Sequence, residues 1–265
     1  MRKMLIVGNW KMHLNTMQAS ILVHRLQERI KIYRDIEVVL APSMLVLQPL
    51  SVQIDRRKFR LAAQNAYYKD EGAFTGEVSY AMLHDLVHYA IIGHSERRHI
   101  FGESLKEVAE KVESAVRNDI MPILCVGETK AERLAGHTRR VLHDQVVTAL
   151  RGLTASDLDK VVIAYEPVWA LSDGDPMHHM RATPEDVMKA ERVIRHNISE
   201  LYGVKAAEKV RVLYGGSVTP DVTRGYLEVP GIDGVLVGGA SVNYHMFSGI
   251  VDAAYRLRRE IGAEE

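Results

Sequence analysis

Short apolar runs alternate with amphipathic stretches along nearly the whole chain. The apolar runs are short and rich in Val, Ile and Leu, as buried strands are, whereas the longer stretches repeat apolar positions at helical spacing. Strands are predicted over 5–10, 37–41, 60–65, 89–93, 120–126, 161–166, 211–214 and 234–237. Helices are predicted over 17–33, 104–117, 138–150, 184–201 and 244–259, and weaker periodicity indicates others near 44–52, 79–87 and 219–227.

This alternation predicts the fold. Strands separated by helices pair in parallel, and strands that are apolar throughout are covered on both faces. No Pro/Ser-rich linker or block of charge divides the 265 residues, a length close to the ~250 typical of an eight-stranded β/α barrel. We therefore predict one α/β domain over 1–265, folded as a single (β/α)8 barrel.

Polar and glycine residues recur at one phase of this pattern, directly after the predicted strands. In a β/α barrel these positions converge on the rim where active sites lie. They comprise Asn9, Lys11, Gln64, Asn65, His94, Glu96, Glu128, Glu166, Gly215-Gly216-Ser217 and Gly238-Gly239.

The two glycine segments follow the seventh and eighth strands. Glycine lets backbone N–H groups approach an anion closely, and the positive end of a following helix favours negative charge. Either segment alone fits a tight turn equally well. Together they match the usual phosphate site of such barrels, which favours a phosphorylated small-molecule substrate.

Glu166 ends the apolar run 161–166 and is followed by the stiff Pro167-Val168-Trp169. This order suits a base held at the rim beside a segment that moves as a lid. The next helix is predicted to begin with a Thr183 cap, Pro184 and Asp186. Twelve residues therefore separate Ala170 from Thr183, a long loop next to a candidate base.

His94 and Lys11 share the predicted rim with Glu166. A carboxylate, an imidazole and an ammonium around a phosphate site suit proton abstraction beside a carbonyl. A lone histidine after a strand is more often structural, and a lone lysine is more often a solvated charge. Their shared position on the predicted rim, beside Glu166, is what favours a catalytic role for both.

Composition narrows the partners. Lys and Arg together number 34, as do Asp and Glu, which gives no reason to expect nucleic acid or an anionic membrane. One cysteine, Cys125, fits a reducing compartment. The apolar run near the N-terminus is too short for a signal peptide, and no run has the ~20 apolar residues of a membrane helix. We expect a cytoplasmic protein.

Metal and thiol chemistry are disfavoured. His178 and His179 are adjacent, without the i,i+4 spacing of helical ligands, and lack a clear third ligand. His84 and His88 have that spacing but are predicted to face the core at a strand entry. Cys125 lies inside an apolar strand, where a packed, inert thiol is expected. No metal is predicted.

Seven segments distributed along the chain form a joint pattern: 8–12 (GNWKM), 64–65 (QN), 72–77 (GAFTGE), 93–98 (GHSERR), 164–170 (AYEPVWA), 214–218 (YGGSV) and 238–241 (GGAS). In this order and over essentially the whole chain, these segments resemble the triosephosphate isomerase family.

The resemblance implies a TIM barrel that interconverts dihydroxyacetone phosphate and glyceraldehyde 3-phosphate without a cofactor. It implies that Glu166 shuttles the proton and that His94 polarises the carbonyl as a neutral imidazole, for which this family is itself the standard example. Asn9 and Lys11 would hold the enediolate, and Glu96 would pair with Lys11.

The same resemblance assigns phosphate binding, the lid and assembly. Backbone N–H groups near Ser172, Ser217, Gly238 and Gly239 would bind phosphate. Pro167 and Trp169 would form the lid hinge, with Tyr214 and Ser217 as latch partners. The loop that carries Thr75 would reach a second subunit near Lys11 and His13, which implies a homodimer.

Two departures from the family pattern are visible. His13 replaces the asparagine most common after Lys-Met, at the expected dimer contact. The lid reads Ala-Leu-Ser-Asp-Gly where the family has Ala-Ile-Gly-Thr-Gly, and about five extra residues precede Thr183. We expect this longer lid to close but to pivot differently at its C-terminal end.

Two alternative functions stand beside this one. An altered lid could admit a related substrate, such as a tetrulose phosphate. A non-catalytic phosphometabolite-binding barrel is disfavoured, because Glu166, His94 and Lys11 are all present.

Overall fold

Eight parallel strands close into a barrel in the computed structural model, which describes residues 2–171 and 180–264. Each strand pairs with the next along the chain, and the first pairs with the eighth. The strands are β1 Met4–Asn9, β2 Ile36–Ala41, β3 Phe59–Ala63, β4 Tyr89–Ile92, β5 Met121–Val126, β6 Val162–Tyr165, β7 Arg211–Tyr214 and β8 Ile232–Val237. The predicted (β/α)8 TIM barrel is confirmed.

Helices follow the strands in the predicted alternation. Those in the described ranges are α1 Thr16–Arg29, α2 Met44–Ser51, α3 Tyr80–Leu83, α4 Ser95–His99, α5 Leu105–Arg117, α6 Lys130–Leu134, α7 Thr138–Leu150, α8 Pro184–Tyr202, α9 Val204–Lys209, α10 Pro220–Leu227 and α11 Tyr244–Glu264. Short 3₁₀ turns cover Asp157–Lys160, Val168–Ala170 and Gly239–Val242.

The side chains of each strand alternate between two apolar layers. Leu5 and Val7 belong to the smaller cluster inside the barrel, whereas Ile6 belongs to the larger cluster between the sheet and the helices. This alternation follows from the two-residue period of a strand and explains why the strands read as apolar throughout. Because both faces of the strands are apolar, the polar side chains of a site must lie at the strand ends and in the loops that follow them.

The start of α8 confirms the predicted cap. Thr183 accepts a hydrogen bond from the Asp186 N–H at 3.2 Å, and Asp186 accepts one from the Thr183 N–H at 3.0 Å. Pro184 occupies the first helical position. This capping box satisfies two N–H groups that a helix start otherwise leaves free. The helix after the long loop therefore has a fixed beginning.

Some predictions were displaced or wrong. Trp10 lies beyond β1, and α1 ends at Arg29 rather than continuing to 33, because Ile30 is extended. His84 does not face the core: it is exposed and its Nδ1 lies 2.7 Å from the Asn118 carbonyl. In residues 2–171 and 180–264, no helix is both long enough and apolar enough to cross a membrane.

Candidate active site

A cavity of about 490 Å3 opens at the end of the barrel where the strands terminate. It brings together most of the site residues predicted from the sequence. Its lining includes Asn9, Lys11, His94, Glu96, Glu166, Ser217, Gly238 and Gly239. Loops that follow five different strands contribute, so the arrangement depends on the closed barrel.

Glu166 follows β6 and is only 2% exposed. Its Oε1 lies 2.7 Å from His94 Nε2, and its Oε2 accepts a hydrogen bond from the Ser95 N–H at 2.9 Å. Burial opposes the charged form, but these two partners outweigh it and hold the pKa of Glu166 below its ordinary value. The carboxylate is therefore ionised and already engaged by both oxygens.

His94 caps the N-terminus of α4. Its Nδ1 accepts a hydrogen bond from the Glu96 N–H at 3.3 Å, which requires an unprotonated Nδ1 and places the proton on Nε2. Burial lowers the pKa of His94, but the adjacent Glu166 carboxylate raises it further, and the net direction is upward. The backbone donor at Nδ1 opposes the imidazolium, so this geometry favours a neutral ring while Glu96 N–H remains in place.

Lys11 has a backbone φ of 51°, in the left-handed region. A non-glycine residue there costs roughly 1–2 kcal/mol. Two side chains hold it: Asn9 Oδ1 accepts from the Lys11 N–H at 3.1 Å, and Gln64 Nε2 donates to the Lys11 carbonyl at 2.8 Å. The Lys11 ammonium is 2.5 Å from Glu96 Oε1.

The glycine loops lie beside this ammonium. A Cβ atom on Gly238 would be 3.9 Å from Lys11 Nζ, so the second loop and the lysine line the same wall. Gly216 packs so closely on Tyr214 that a Cβ there would be 2.1 Å from the tyrosine hydroxyl. The Ser217 N–H donates to the Ala170 carbonyl at 3.3 Å. One predicted phosphate donor is therefore bonded to the protein itself.

The predicted hinge is held by a buried carboxylate, Glu128. It accepts from the Trp169 indole N–H at 2.9 Å, and its backbone carbonyl accepts from the Val168 N–H at 3.0 Å. The Arg133 guanidinium lies 4.0 Å from the centre of the Trp169 ring. These contacts fix the direction in which Pro167 leads the chain away from Glu166.

Other predicted residues fall outside this cluster. Thr75 is exposed and does not line the cavity, whereas His13 does. Tyr214 lies behind Gly216 rather than in the lining. Ser172, most of the predicted lid, and the pair His178 and His179 lie outside the described residues, so their roles stay predictions from the sequence.

Three groups at the site had no assigned role in the sequence analysis. The Ser95 N–H holds Glu166, Gln64 holds Lys11, and Glu128 holds Trp169. Gln64 and Glu128 come directly after predicted strands, as the other rim residues do, and this position was the sequence signal that could have identified them. Ser95 acts through its backbone, and the sequence carries no signal for that.

Metal and thiol chemistry find no support in residues 2–171 and 180–264. No group of three or more His, Cys, Asp or Glu side chains there could hold a metal ion. Cys125 is buried, and burial raises the pKa of its thiol. A thiol in that state is not an activated nucleophile.

A carboxylate, an imidazole and an ammonium around a cavity walled by glycine loops are typical of (β/α)8-barrel enzymes that move protons on small anionic substrates. The model of the triosephosphate isomerase family matches residues 4–254. Similar proteins include triosephosphate isomerases of Citrifermentans bemidjiense, 43% identical over 252 residues, and of Caldanaerobacter subterraneus subsp. tengcongensis, 44% identical over 253 residues.

These alignments cover 95% of this chain and 98% and 100% of the two relatives, respectively. The triosephosphate isomerase of Carboxydothermus hydrogenoformans is 42% identical over 252 residues, an alignment that covers 95% of this chain and 98% of the relative. The chain belongs to the triosephosphate isomerase family, and it is an isomerase.

Proposed function

We propose that this cavity interconverts dihydroxyacetone phosphate and D-glyceraldehyde 3-phosphate, with Glu166 as the base and His94 as the electrophile. The observation that carries the assignment is the buried 2.7 Å contact between Glu166 Oε1 and His94 Nε2, beside Lys11 and both glycine loops. Aldose–ketose interconversion needs one group that removes a proton from carbon and another that polarises the neighbouring carbonyl.

Substrate phosphate is assigned to the glycine-loop wall. The N–H groups of Ser217, Gly238 and Gly239, with Ser172 from the sequence prediction, would donate to its oxygens, and Lys11 would supply positive charge. The Ser217 N–H must first leave the Ala170 carbonyl, to which it donates at 3.3 Å. Phosphate binding is thereby linked to the segment that follows Glu166.

Isomerisation moves one proton between the two carbons and another between their two oxygens. Glu166 removes a proton from the carbon beside the substrate carbonyl while His94 Nε2–H hydrogen-bonds to the carbonyl oxygen, which gives an enediolate. The original hydroxyl oxygen then loses its proton and the original carbonyl oxygen gains one, with His94 as the relay, and protonated Glu166 returns its proton to the former carbonyl carbon. Lys11 and Asn9 stabilise the negative charge that develops on the two oxygens.

Glu166 must change partners before it can act. In the structure both of its oxygens are engaged, one by His94 and one by the Ser95 N–H. Leaving these partners within a dry cavity removes what lowers its pKa and makes it a stronger base. The hinge at Pro167 and Trp169 is where this movement is expected.

The assay that tests the function compares wild type with Glu166→Asp and Glu166→Gln. Shortening the side chain by one methylene misplaces the base, and kcat for triose phosphate should fall by about 100-fold or more. The amide cannot accept the proton and should leave far less activity than Asp. KM should change little in both variants.

Two outcomes would contradict the proposal. Equal activity of Glu166→Gln and wild type would remove Glu166 from the chemistry. Faster turnover of a tetrulose phosphate than of the triose phosphates would move the substrate assignment to the related sugar.

We also propose that the chain forms a homodimer through the loops that follow β1 to β4. Apolar side chains with no cover in the described structure are concentrated there: Met12 is 94% exposed, Ile100 72% and Phe101 68%. Met44 and Leu45, at the start of α2, and Met82 of α3 are exposed as well. Exposed apolar side chains on several successive βα segments support an interface at that end of the barrel. His13 and Thr75 belong to the same set of loops.

Sedimentation at micromolar concentration tests the dimer. Ile100→Asp places a charge within the proposed interface and should shift the protein toward monomer, because an unpaired charge is costly to bury. Leu134→Asp is the matched control, since Leu134 is 79% exposed on α6, away from these loops. A monomeric wild type, or equal masses for both variants, would refute the interface.

Two further expectations belong to this proposal. We assign residues 1–265 to one domain, supported by the continuous barrel from β1 to β8. We assign the protein to the cytoplasm, supported by the buried, unpaired Cys125.

A further inference from the structure

A second cavity, of about 610 Å3, lies on the side of the barrel between α6, α7 and α8. We call it the lateral cavity and define it by Arg133, Arg139, Tyr165, Asp186, Lys189 and Arg192. It lies outside the active-site cavity, because the Tyr165 side chain points from the sheet toward the helices rather than into the barrel. The isomerisation proposed above uses none of its surface.

The lateral cavity concentrates positive charge. Four of its lining side chains are cations and one, Asp186, is a carboxylate, although acidic and basic residues balance over the whole chain. Arg133 pairs with Asp186 at 2.8 Å, and Lys189 pairs with Glu185 at 2.7 Å outside the lining. Arg139 and Arg192 are exposed at the rim. A concave basic surface focuses the field that attracts anions.

We propose that the lateral cavity binds a soluble small molecule that carries two or more phosphate groups. The volume is in the range of small-molecule sites, and Ala190 and Val193 give the cavity an apolar wall. The cations come from three different helices, so they can engage anionic groups that are separated in one ligand. A concave shape of this size suits a small molecule better than a nucleic-acid backbone or a membrane surface.

Arg133 connects the lateral cavity to the hinge beside Glu166. It donates to Asp186, its guanidinium lies 4.0 Å from the Trp169 ring centre, and it is 3.9 Å from Glu128 Oε1. Glu128 in turn accepts from the Trp169 indole. An anion in the cavity competes with Asp186 for Arg133 and therefore changes the contacts of Trp169.

Two measurable effects follow from this connection. Ligand binding should alter the fluorescence of Trp169, since it would change the contact between the Arg133 guanidinium and the indole ring. The other tryptophan, Trp10, is fully buried elsewhere. Binding should also lower kcat, because it acts on the hinge rather than on the substrate position. An anion that only competes in the active site leaves kcat unchanged.

The experiment titrates the full-length protein with pyrophosphate at constant ionic strength and follows both tryptophan fluorescence and isomerase kinetics. The test variant is Arg139→Glu/Arg192→Glu, which reverses two rim charges without touching the active-site cavity. The control is Arg25→Glu/Arg256→Glu, an equal charge change at exposed positions on α1 and α11, across the barrel.

The test variant should bind pyrophosphate at the fluorescence-detected site about tenfold more weakly or worse, and should lose the effect on kcat. Wild type and the control variant should keep both the pyrophosphate binding and its effect on kcat. Equal fluorescence titrations in all three proteins, or purely competitive inhibition in wild type, would overturn the proposal. The binding arm needs no turnover, so a protein that binds pyrophosphate through Arg139 and Arg192 but fails to isomerise triose phosphate would refute only the proposed function.

Discussion

Glu166 shows how burial and two neighbours set the state of one side chain. Burial alone would favour its neutral form, yet the His94 ring and the Ser95 N–H reverse that preference. The same two contacts engage both oxygens of the carboxylate. As the proposed base, Glu166 would therefore have to leave the partners that keep it charged before it removes a proton.

Gln64 performs a comparable task for Lys11. Its amide nitrogen donates to the carbonyls of Lys11 and Ala41, both at 2.8 Å. A left-handed lysine backbone persists only when its surroundings determine it. Gln64 ties the loop after β1 to the end of β2 and so fixes the direction of the ammonium.

We expect Gln64→Glu to destabilise the protein more than Gln64→Met. The carboxylate cannot donate and would face two carbonyl oxygens, at a cost of about 1–3 kcal/mol, whereas Met removes the donors without adding a charge. KM for triose phosphate should rise in both variants, because Lys11 is no longer held. Urea unfolding and steady-state kinetics measure the two effects; equal stabilities of the two variants would contradict the account.

The sequence predicts much of this residue-scale picture. Glu166, His94, Lys11 and Asn9 were placed on one rim by their phase after strands, and the structure brings them into one cavity. The phase does not reveal direction: His84 was predicted to face the core and is exposed. Roles that act through a backbone N–H, as at Ser95, depend on local geometry that residue type does not encode.

At the scale of elements, α10 holds the far end of the segment that follows the hinge. Tyr226 of α10 donates to the Ala182 carbonyl at 2.8 Å and packs its ring on Tyr214 with centroids 4.0 Å apart. Tyr226 is 4% exposed. Tyr214 in turn packs against Gly216 of the first glycine loop. One side chain therefore touches both the approach to α8 and the support of the proposed phosphate site.

Tyr226→Phe should lower the free energy of unfolding by about 1 kcal/mol, because the Ala182 carbonyl loses its donor. It should also reduce kcat/KM, since the Ala182 end of the segment that follows the hinge is no longer held by α10. Tyr202→Phe is the control: it loses hydrogen bonds to the carbonyls of Leu150 and Leu153, which lie outside the active-site lining. If the two variants have the same kinetics, Tyr226 has only a structural role.

Repetition of an apolar face made several of the longer helices predictable. The helices that became α5, α7 and α8 repeat their apolar face several times, and their limits agree closely with prediction. The short helices α4, α6 and α9 have too few turns to show a period and were not predicted. The contact between Tyr226 and Ala182 spans 44 positions, and no local pattern indicates it.

At the scale of the whole molecule, acidic and basic residues are equal in number, and many of the carboxylates have a lowered pKa. Backbone hydrogen bonds at helix and turn starts lower the pKa of Glu107 and of Asp157. For Asp186, burial opposes the charge, but Arg133 and the Thr183 cap lower the pKa overall. Each of these groups binds a proton less readily in the folded chain than in the unfolded one.

Stability should therefore fall in acid. A carboxylate whose pKa is lower in the folded than in the unfolded chain stabilises the fold. This stabilisation is complete above the unfolded pKa of about 4 and is lost as pH falls through the pKa of the folded state. Each partly exposed group should contribute a fraction of a kcal/mol. Urea unfolding at fixed protein concentration from pH 7 to pH 3 measures the slope, and Asp157→Asn should reduce it. A free energy of unfolding that is constant down to pH 3 would contradict this prediction.

In the proposed phosphate site, the Ala170 carbonyl would compete with substrate phosphate for the Ser217 N–H, which already donates to it. Only the fraction of molecules in which this bond is open can offer that donor, and the apparent affinity is reduced by the same fraction. Under the proposed assignment, a substrate phosphate would replace the Ala170 carbonyl as the partner of the Ser217 N–H instead of filling a ready site. Part of its binding free energy would then release the chain that follows Glu166, so that recognition of the phosphate end of the substrate would prepare the proposed base at the other end.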